Sequence, residues 1–235
     1  MTPALQLVNE TAEEQLFVLE RTAWSDQAVT AADVTACQVF RDLFSSEVLR
    51  PGQQLSVGTL TVLFTDLRES TRLYQEIGDA PAFGRVLDHF GVLRKAVTAQ
   101  DGAVVKTIGD AIMAAFARPV AALRAVLNAQ EELATPRAGE RPLLLKAGIH
   151  LGHCIAVTLN ERLDYFGSTV NLAARLDRYS SGEDVIISEA VRNDPEVAQL
   201  LDERGEGLEA EQFEARIRGF DERPFPLWRV RRRKG

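Results

Sequence analysis

Asp66 and Asp110 are the two residues of this chain best placed to do chemistry. Asp66 ends the apolar run Val62-Leu63-Phe64-Thr65, and Asp110 follows Gly109 at a turn between two β-type runs. Either residue alone has an ordinary explanation. An Asp between a strand and a helix commonly caps the helix, and an Asp beside Gly commonly forms a turn. Together they are more specific, because two carboxylates delivered by adjacent strands of a rigid sheet can hold divalent metal. No His or Cys lies near either one in sequence. Hard oxygen donors without nitrogen or sulfur favour Mg²⁺ or Mn²⁺ over Zn²⁺. Mg²⁺ held by one or two carboxylates completes its shell with water and substrate phosphates. A nucleoside triphosphate is therefore the expected ligand, and two such ions would serve an in-line displacement at phosphorus. A helix starting just after Asp66 would aim its first N–H groups at the same phosphates.

Asn171 and Arg175 stand four residues apart in Val170-Asn171-Leu172-Ala173-Ala174-Arg175-Leu176. On a helix that spacing puts both on one face. A solvated polar face is the usual explanation, but this segment is rich in Ala and Leu and has few polar side chains. An Arg near a phosphoryl centre stabilises charge that develops in the transition state. Lys106 precedes Asp110 by four residues, and Asp164 precedes Asn171 by seven. Spacing alone assigns neither a role: a strand Lys is ordinarily exposed, and a loop Asp is ordinarily a turn former.

The elements that must position these residues follow from the hydrophobic pattern. Residues 1–55 read as a helical lead-in that packs on the domain or on a partner and suits a regulatory role. Leu16, Val18 and Leu19 suggest one short helix. Thr30-Ala31-Ala32-Asp33 starts another, with Thr30 as cap and Asp33 at the third helical position. Val34, Cys37, Val39, Phe40, Leu43 and Phe44 give that helix an apolar face, and Pro51-Gly52 ends it. Residues 56–235 form the main domain. A strand is expected over 59–64 and a short helix over 70–77, stopped by Gly78. An amphipathic helix over 81–100 presents Phe83, Val86, Leu87, Phe90, Leu93 and Val97. Two strands flank the Gly109 turn, and a helix starts at Pro119. A strand over 143–151 turns at Gly152-His153 into a second strand over 154–159. A helix capped by Ser168 or Thr169 runs to about Tyr179. A strand over 185–188, short helices to about 201, an acidic loop over 202–211 and closing strands over 213–218 and 227–230 complete the chain. The order implies an α+β fold with a largely antiparallel sheet, a ferredoxin-like βαββαβ core with added strands and helices.

Composition narrows the function classes. The 235 residues carry a net charge of −7, which argues against general nucleic-acid binding. Cys37 and Cys154 are the only cysteines and lack metal-type spacing, so a reducing, cytoplasmic setting is expected rather than a disulfide framework. No secretory signal is evident, and no apolar run approaches the roughly 20 residues needed to span a bilayer. His150 and His153 read as structural residues at strand ends, and Arg229 to Lys234 as a solvated basic tail.

Four motifs in order complete the reading: Phe64-Thr65-Asp66-Leu67, Lys106-Thr107-Ile108-Gly109-Asp110-Ala111, Gly148-Ile149-His150-Leu151-Gly152, and Asp164-Tyr165-Phe166-Gly167-Ser168-Thr169-Val170-Asn171-Leu172-Ala173-Ala174-Arg175. Together, from about residue 58 to 190, they resemble the catalytic domain of class III nucleotidyl cyclases. The resemblance implies that Asp66 and Asp110, with the carbonyl of Leu67, bind two Mg²⁺ or Mn²⁺ ions per site. It places Lys106 and Asp164 at the base-reading positions in the combination that accompanies adenine. Asn171 would orient the ribose, and Arg175 would contact the α-phosphate. The implied reaction is adenylate cyclase chemistry: the 3′-oxygen of ATP attacks the α-phosphorus, giving cyclic AMP and pyrophosphate. The implied assembly is a homodimer, each site taking its aspartates from one protomer and its base-reading residues, Asn and Arg from the other. A cyclase for another nucleotide and a silent nucleotide-binding domain are the alternatives. Two positions depart from the family pattern. Glu69 follows the first aspartate where many members have Gly, and would repel a triphosphate unless it points away. Phe220, after Gly219, stands where some members carry a phosphate-binding Lys, a role that could fall to Arg218.

Overall fold

A computed structural model describes residues 28–50, 52–135, 140–202, 207–220 and 224–233. The expected helix around Leu16 to Leu19 lies outside them. In chain order the elements are α1 (Ala31–Thr35), α2 (Gln38–Phe44), β1 (Gln54–Leu67), α3 (Ser70–Ile77), α4 (Asp79–Thr98), β2 (Ala103–Ile108), β3 (Ala111–Phe116), α5 (Pro119–Ala134), β4 (Leu145–Leu159) and β5 (Arg162–Phe166). There follow α6 (Ser168–Ala173), a 3₁₀ turn at Asp177–Tyr179, β6 (Val185–Ser188), α7 (Glu189–Arg192), α8 (Pro195–Asp202), β7 (Leu208–Ala215) and β8 (Phe225–Arg232). No helix among the described residues is long and apolar enough to cross a membrane.

The strands form one sheet in the order β2-β3-β1-β4-β6-β8-β7, with β5 paired to β4. Every pairing is antiparallel except β4 with β6. The β2-β3-β1-β4 portion, with α3–α4 and α5 as its crossovers, is the expected ferredoxin-like core. Residues 60–65 of β1 are all buried, because both faces of the sheet are covered and alternation gives way to a continuous apolar run. On one face Leu63, Ile112, Ala114 and Phe116 pack with Val86, Leu93 and Val97 of α4 and the buried side of α5. Fully burying a residue such as Leu63 or Phe116 contributes about 1.5–3 kcal/mol. On the other face Leu60, Val62, Phe64 and Met113 meet Ala32 and Ala36 of the first helices, Leu163 and Tyr165 of β5, and Ala173 of α6. Asp66 is in phase with Leu60, Val62 and Phe64, so it belongs to this second face, away from α4 and α5.

Several expectations need correction. The segments 143–151 and 154–159 are one continuous strand, β4, and Gly152-His153 is not a turn. Its glycines serve close packing. A Cβ on Gly148 would lie 2.5 Å from Leu176 Cβ and 2.7 Å from the Asp177 backbone nitrogen, and one on Gly152 would lie 2.5 Å from Thr169 Oγ1. The actual hairpin turn is Asn160-Glu161, both at positive φ, and the strand it starts is β5. The inward stripe of α4 is Ala82, Val86, His89, Leu93 and Val97, a regular four- and three-residue progression. Phe83 is 60% exposed and Leu87 is also exposed. Thr30 and Asp33 form the capping box as expected, but the lead-in helix breaks at Ala36–Cys37. In α2 Val39, Leu43 and Phe44 face solvent, while Gln38 and Arg41 are buried.

The acidic stretch after 207 and the basic end of the chain are paired strands rather than a loop and a tail. Glu209 lies opposite Arg231, and Glu211 opposite Arg229. Opposite charges directly across an antiparallel pair stabilise it, so these residues seen singly look like solvated surface and seen together are a ladder. The first of the two closing strands thus begins at Leu208, not 213.

Gly148 yields a direct test. Gly148→Ala is expected to destabilise the protein by about 1–3 kcal/mol, the usual range for overpacking, because the methyl meets backbone at Asp177. Chemical denaturation measures it, and an unchanged midpoint would contradict the packing described.

Candidate active site

The antiparallel ladder β1–β3–β2 sets the two aspartates. Thr65 pairs with Ile112, and Ile108 pairs with Ala111, leaving Gly109 and Asp110 as the whole turn. Gly109 has φ +63, a left-handed conformation that glycine adopts without penalty. Burial, and then the Asp110 carboxylate, push the Asp66 carboxyl above the ordinary carboxylate range; Lys146 and the Leu67 N–H pull it partly back. Lys146 is the cross-strand partner of Asp66 on β4, and its ammonium lies 3.6 Å from the carboxylate. Among the described residues Asp110 Oδ2 is buried without a hydrogen-bond partner, an unusual condition for a carboxyl oxygen. Asp177 is likewise pushed up, by burial and then by Asp66. Among the described residues no three His, Cys, Asp or Glu side chains are grouped to hold a metal unaided.

Lys106 and Asp164 form the second grouping. Lys106 follows a register shift in the β2–β3 ladder, and its Nζ donates to Asp164 Oδ2 at 2.5 Å. The other carboxylate oxygen accepts the Tyr165 N–H at 2.8 Å. Asp164 is only 6% exposed and lies on β5, not in the loop expected from the sequence.

The third grouping is Asn171 with Arg175. Asn171 lies in α6. Arg175 falls one residue beyond the Ala174 cap, so the helix is shorter than expected and does not reach Tyr179. The two nevertheless stay together: the Arg175 guanidinium donates to the Asn171 carbonyl and stands over the Phe220 ring, 5.6 Å from its centroid. Phe220 in turn meets Phe225 edge-on. The expected Ser168 or Thr169 cap is absent. Gly167 is the N-cap, without a side-chain bond, and the Thr169 hydroxyl donates to the His153 carbonyl instead. Among the described residues no hydrogen bond or ion pair joins one grouping to another.

Glu69 begins α3 in the left-handed region, at φ 59. Its carboxylate is engaged by Arg68 and Arg72, each at 3.5 Å, so its charge is met by its own neighbours. Arg218 is exposed. His150 and His153 both lie within β4 rather than at a strand end. His150 contacts Ser188 Oγ at 2.8 Å, and burial lowers its pKa to about 4, so it is neutral at physiological pH. Lys146, Asp177 and the contact of the Phe220 ring with Arg175 were missed in the sequence. Registering β1 on β4 would have placed a lysine opposite Asp66; nothing local in sequence points to the other two.

Residues 53–207 match the family described as the adenylate and guanylate cyclase catalytic domain. The chain is 31% identical over 198 residues to a protein named adenylate cyclase from Mycosarcoma maydis, covering 73% of this chain and 8% of that protein. It therefore spans a small part of that relative's length. Among solved structures, an adenylate cyclase from Trypanosoma brucei, studied in the monomeric state, superposes with a TM-score of 0.62 at 25% identity, over 74% of this chain and 89% of that one. The guanylate cyclase domain from Catenaria anguillulae in complex with GTP gives 0.63 at 19% identity, over 77% of this chain and all of that one. At that identity the likeness is one of fold.

Two outcomes follow from the geometry. Because the Asp66 pKa is raised in the folded protein, its ionisation opposes folding: stability is retained below the ordinary carboxylate pKa and lost as pH rises through the folded value. Asp66→Asn should therefore raise the melting temperature at neutral pH in a chelator, with the gain vanishing in acid; a gain that persists in acid would contradict this. Glu69→Gly should stabilise by up to about 1 kcal/mol by removing a left-handed non-glycine residue, measured by urea denaturation.

Proposed function

The chain belongs to the adenylate and guanylate cyclase catalytic-domain family, and we propose that it is an adenylate cyclase acting as a homodimer. The Lys106–Asp164 pair carries the choice of substrate. A lysine donor suits the adenine ring-nitrogen acceptor, and an aspartate acceptor suits the exocyclic amine. Guanine reverses both, leaving buried polar groups unpaired at a cost of roughly 1–3 kcal/mol each. The two side chains satisfy one another; a bound base would take up both partners in their place. Relatives named adenylate cyclase support the same choice, while the fold alone is shared with guanylate cyclases.

The donor set suits Mg²⁺ or Mn²⁺, two per site. Asp66 and Asp110 offer only hard oxygens, Asp110 Oδ2 lacks a partner, and the pair is too few to enclose an ion, which leaves room for phosphate oxygens. Asp66, Asp110 and the Leu67 carbonyl would hold the ions. When bound, the ions supply positive charge to the triphosphate and acidify the ribose 3′-hydroxyl. Asn171 orients the ribose. Arg175, held by the Asn171 carbonyl and the Phe220 ring, meets charge that develops on the α-phosphate. The 3′-oxygen bonds to the α-phosphorus, its proton leaves, and the α–β bond breaks to release pyrophosphate. The aspartates of one protomer would face the base-reading pair, Asn171 and Arg175 of its partner, giving two equivalent sites.

Purified protein offered each of the four triphosphates with Mg²⁺ or Mn²⁺, with products separated chromatographically, should form cyclic AMP in preference to other cyclic nucleotides. Asp66→Ala or Asp110→Ala should lower turnover by on the order of 10²–10³-fold or more while the protein stays folded; retained turnover would remove the two-metal reading. Lys106→Glu combined with Asp164→Cys should weaken the preference for ATP, and an unchanged preference would mean that the base is read elsewhere.

A further inference from the structure

Gln38 and Arg41 are the two long polar side chains that α2 buries, and each reaches a different strand of the Lys106–Asp164 pair. Gln38 Oε1 accepts the Val104 N–H at 2.7 Å. Val104 stands at the register shift just before Lys106, where a bulge leaves backbone groups without ladder partners. Gln38 Nε2 donates to Asp42 Oδ1 at 2.8 Å, which fixes the amide. Arg41, 4% exposed, donates to the carbonyls of Thr35 and Leu163 and lies over the Tyr165 ring, 5.4 Å from its centroid. The Leu163 N–H donates to the Ser45 carbonyl at 2.7 Å. Leu163 and Tyr165 are the immediate neighbours of Asp164, so α2 and the residue after it hold the chain on both sides of that carboxylate.

The sheet itself does not hold β2 and β5 together. They are separated by β3, β1 and β4, and small changes of twist at each intervening ladder accumulate between Lys106 and Asp164. The first helices bridge that gap directly. Packing alone would not call for a buried guanidinium, which is expensive to desolvate unless its donors are met; its directional bonds to strand β5 give the burial a purpose.

We propose that Gln38 and Arg41 are positioning residues that fix the separation of Lys106 and Asp164, so that the lead-in helices set nucleobase selectivity. The inference rests on the base-reading role given to that pair under Proposed function. Any signal that shifts α2 would then act on affinity and selectivity for the base rather than on turnover at saturation.

The test uses the full chain, with KM for ATP, kcat at saturating ATP, the ATP-to-GTP ratio of kcat/KM, and the melting temperature. Gln38→Leu removes the acceptor. Gln38→Glu with Asp42→Asn keeps both hydrogen bonds with the Gln38–Asp42 donor and acceptor roles exchanged. Arg41→Lys keeps the charge and loses the fork. Gln38→Leu and Arg41→Lys should raise KM for ATP and lower the ATP-to-GTP ratio by about tenfold each, the loss of one buried hydrogen bond, with kcat at saturation little changed. The Gln38→Glu/Asp42→Asn protein should keep the wild-type ratio. If Arg41→Lys fails to fold, the Gln38 pair decides. A fall in kcat with KM and ratio unchanged, or a Gln38→Glu/Asp42→Asn protein as impaired as Gln38→Leu, would overturn the proposal. Wild type without a preference for ATP would overturn the base-reading assignment and this inference with it; wild type with the preference and variants that all keep it would overturn this inference alone.

Discussion

Two carboxylates stand close together at the end of a β-ladder, and the fold keeps them there against their own repulsion. Asp66 is desolvated and feels Asp110, and one oxygen of Asp110 has no hydrogen-bond partner among the described residues. Isolated like charges would separate, but these are fixed by the register of β1 on β3 and by a two-residue turn that only a left-handed Gly109 closes without strain. Lys146, opposite Asp66 on β4, offsets part of the cost. The free energy stored in such an arrangement is recovered when something positive arrives, which is why strained electrostatics and function tend to coincide.

The rest of the structure serves that arrangement. The long helices α4 and α5 cover one face of the sheet and leave Asp66 on the other. On that second face the β4–β5 hairpin carries Asp164 to Lys106. The glycines of β4 let Thr169 of α6 and the residues after that helix come within van der Waals range of the sheet, which places Asn171 and Arg175. Arg175 is then fixed between a backbone carbonyl and an aromatic ring, so a flexible cation becomes a preorganised one.

Much of this was legible in the sequence, and the failures have physical reasons. Local signals with their own chemistry survived: the Thr30–Asp33 capping box, the Gly109 turn, Pro119 at a helix start and Gly78 at a helix stop. Strand β5 did not, because it is five residues long and its turn, Asn160-Glu161, lacks the glycine that usually marks such hairpins. Gly152 looked like a turn because its real reason, the nearness of Thr169, lies 17 residues away in sequence. Part of α2 was read inside out, since amphipathicity counts Arg41 as surface and Leu43 as core, while Phe40 does pack on the core as expected. The structure buries the arginine, whose donors are satisfied, and leaves Leu43 66% exposed. The six polar site residues named from the sequence fall into three groupings, and the contacts that join residues within each grouping could not be read from spacing.

The central claim is that the aspartates and the Asn171–Arg175 group complete one another across two copies of the chain. Mixing Asp66→Ala protein with Arg175→Ala protein tests it most directly. Each variant alone should be nearly inactive, and random pairing should restore roughly a quarter of wild-type cyclic AMP formation, because half the dimers then contain one intact composite site. A mixture as inactive as its components would contradict the account.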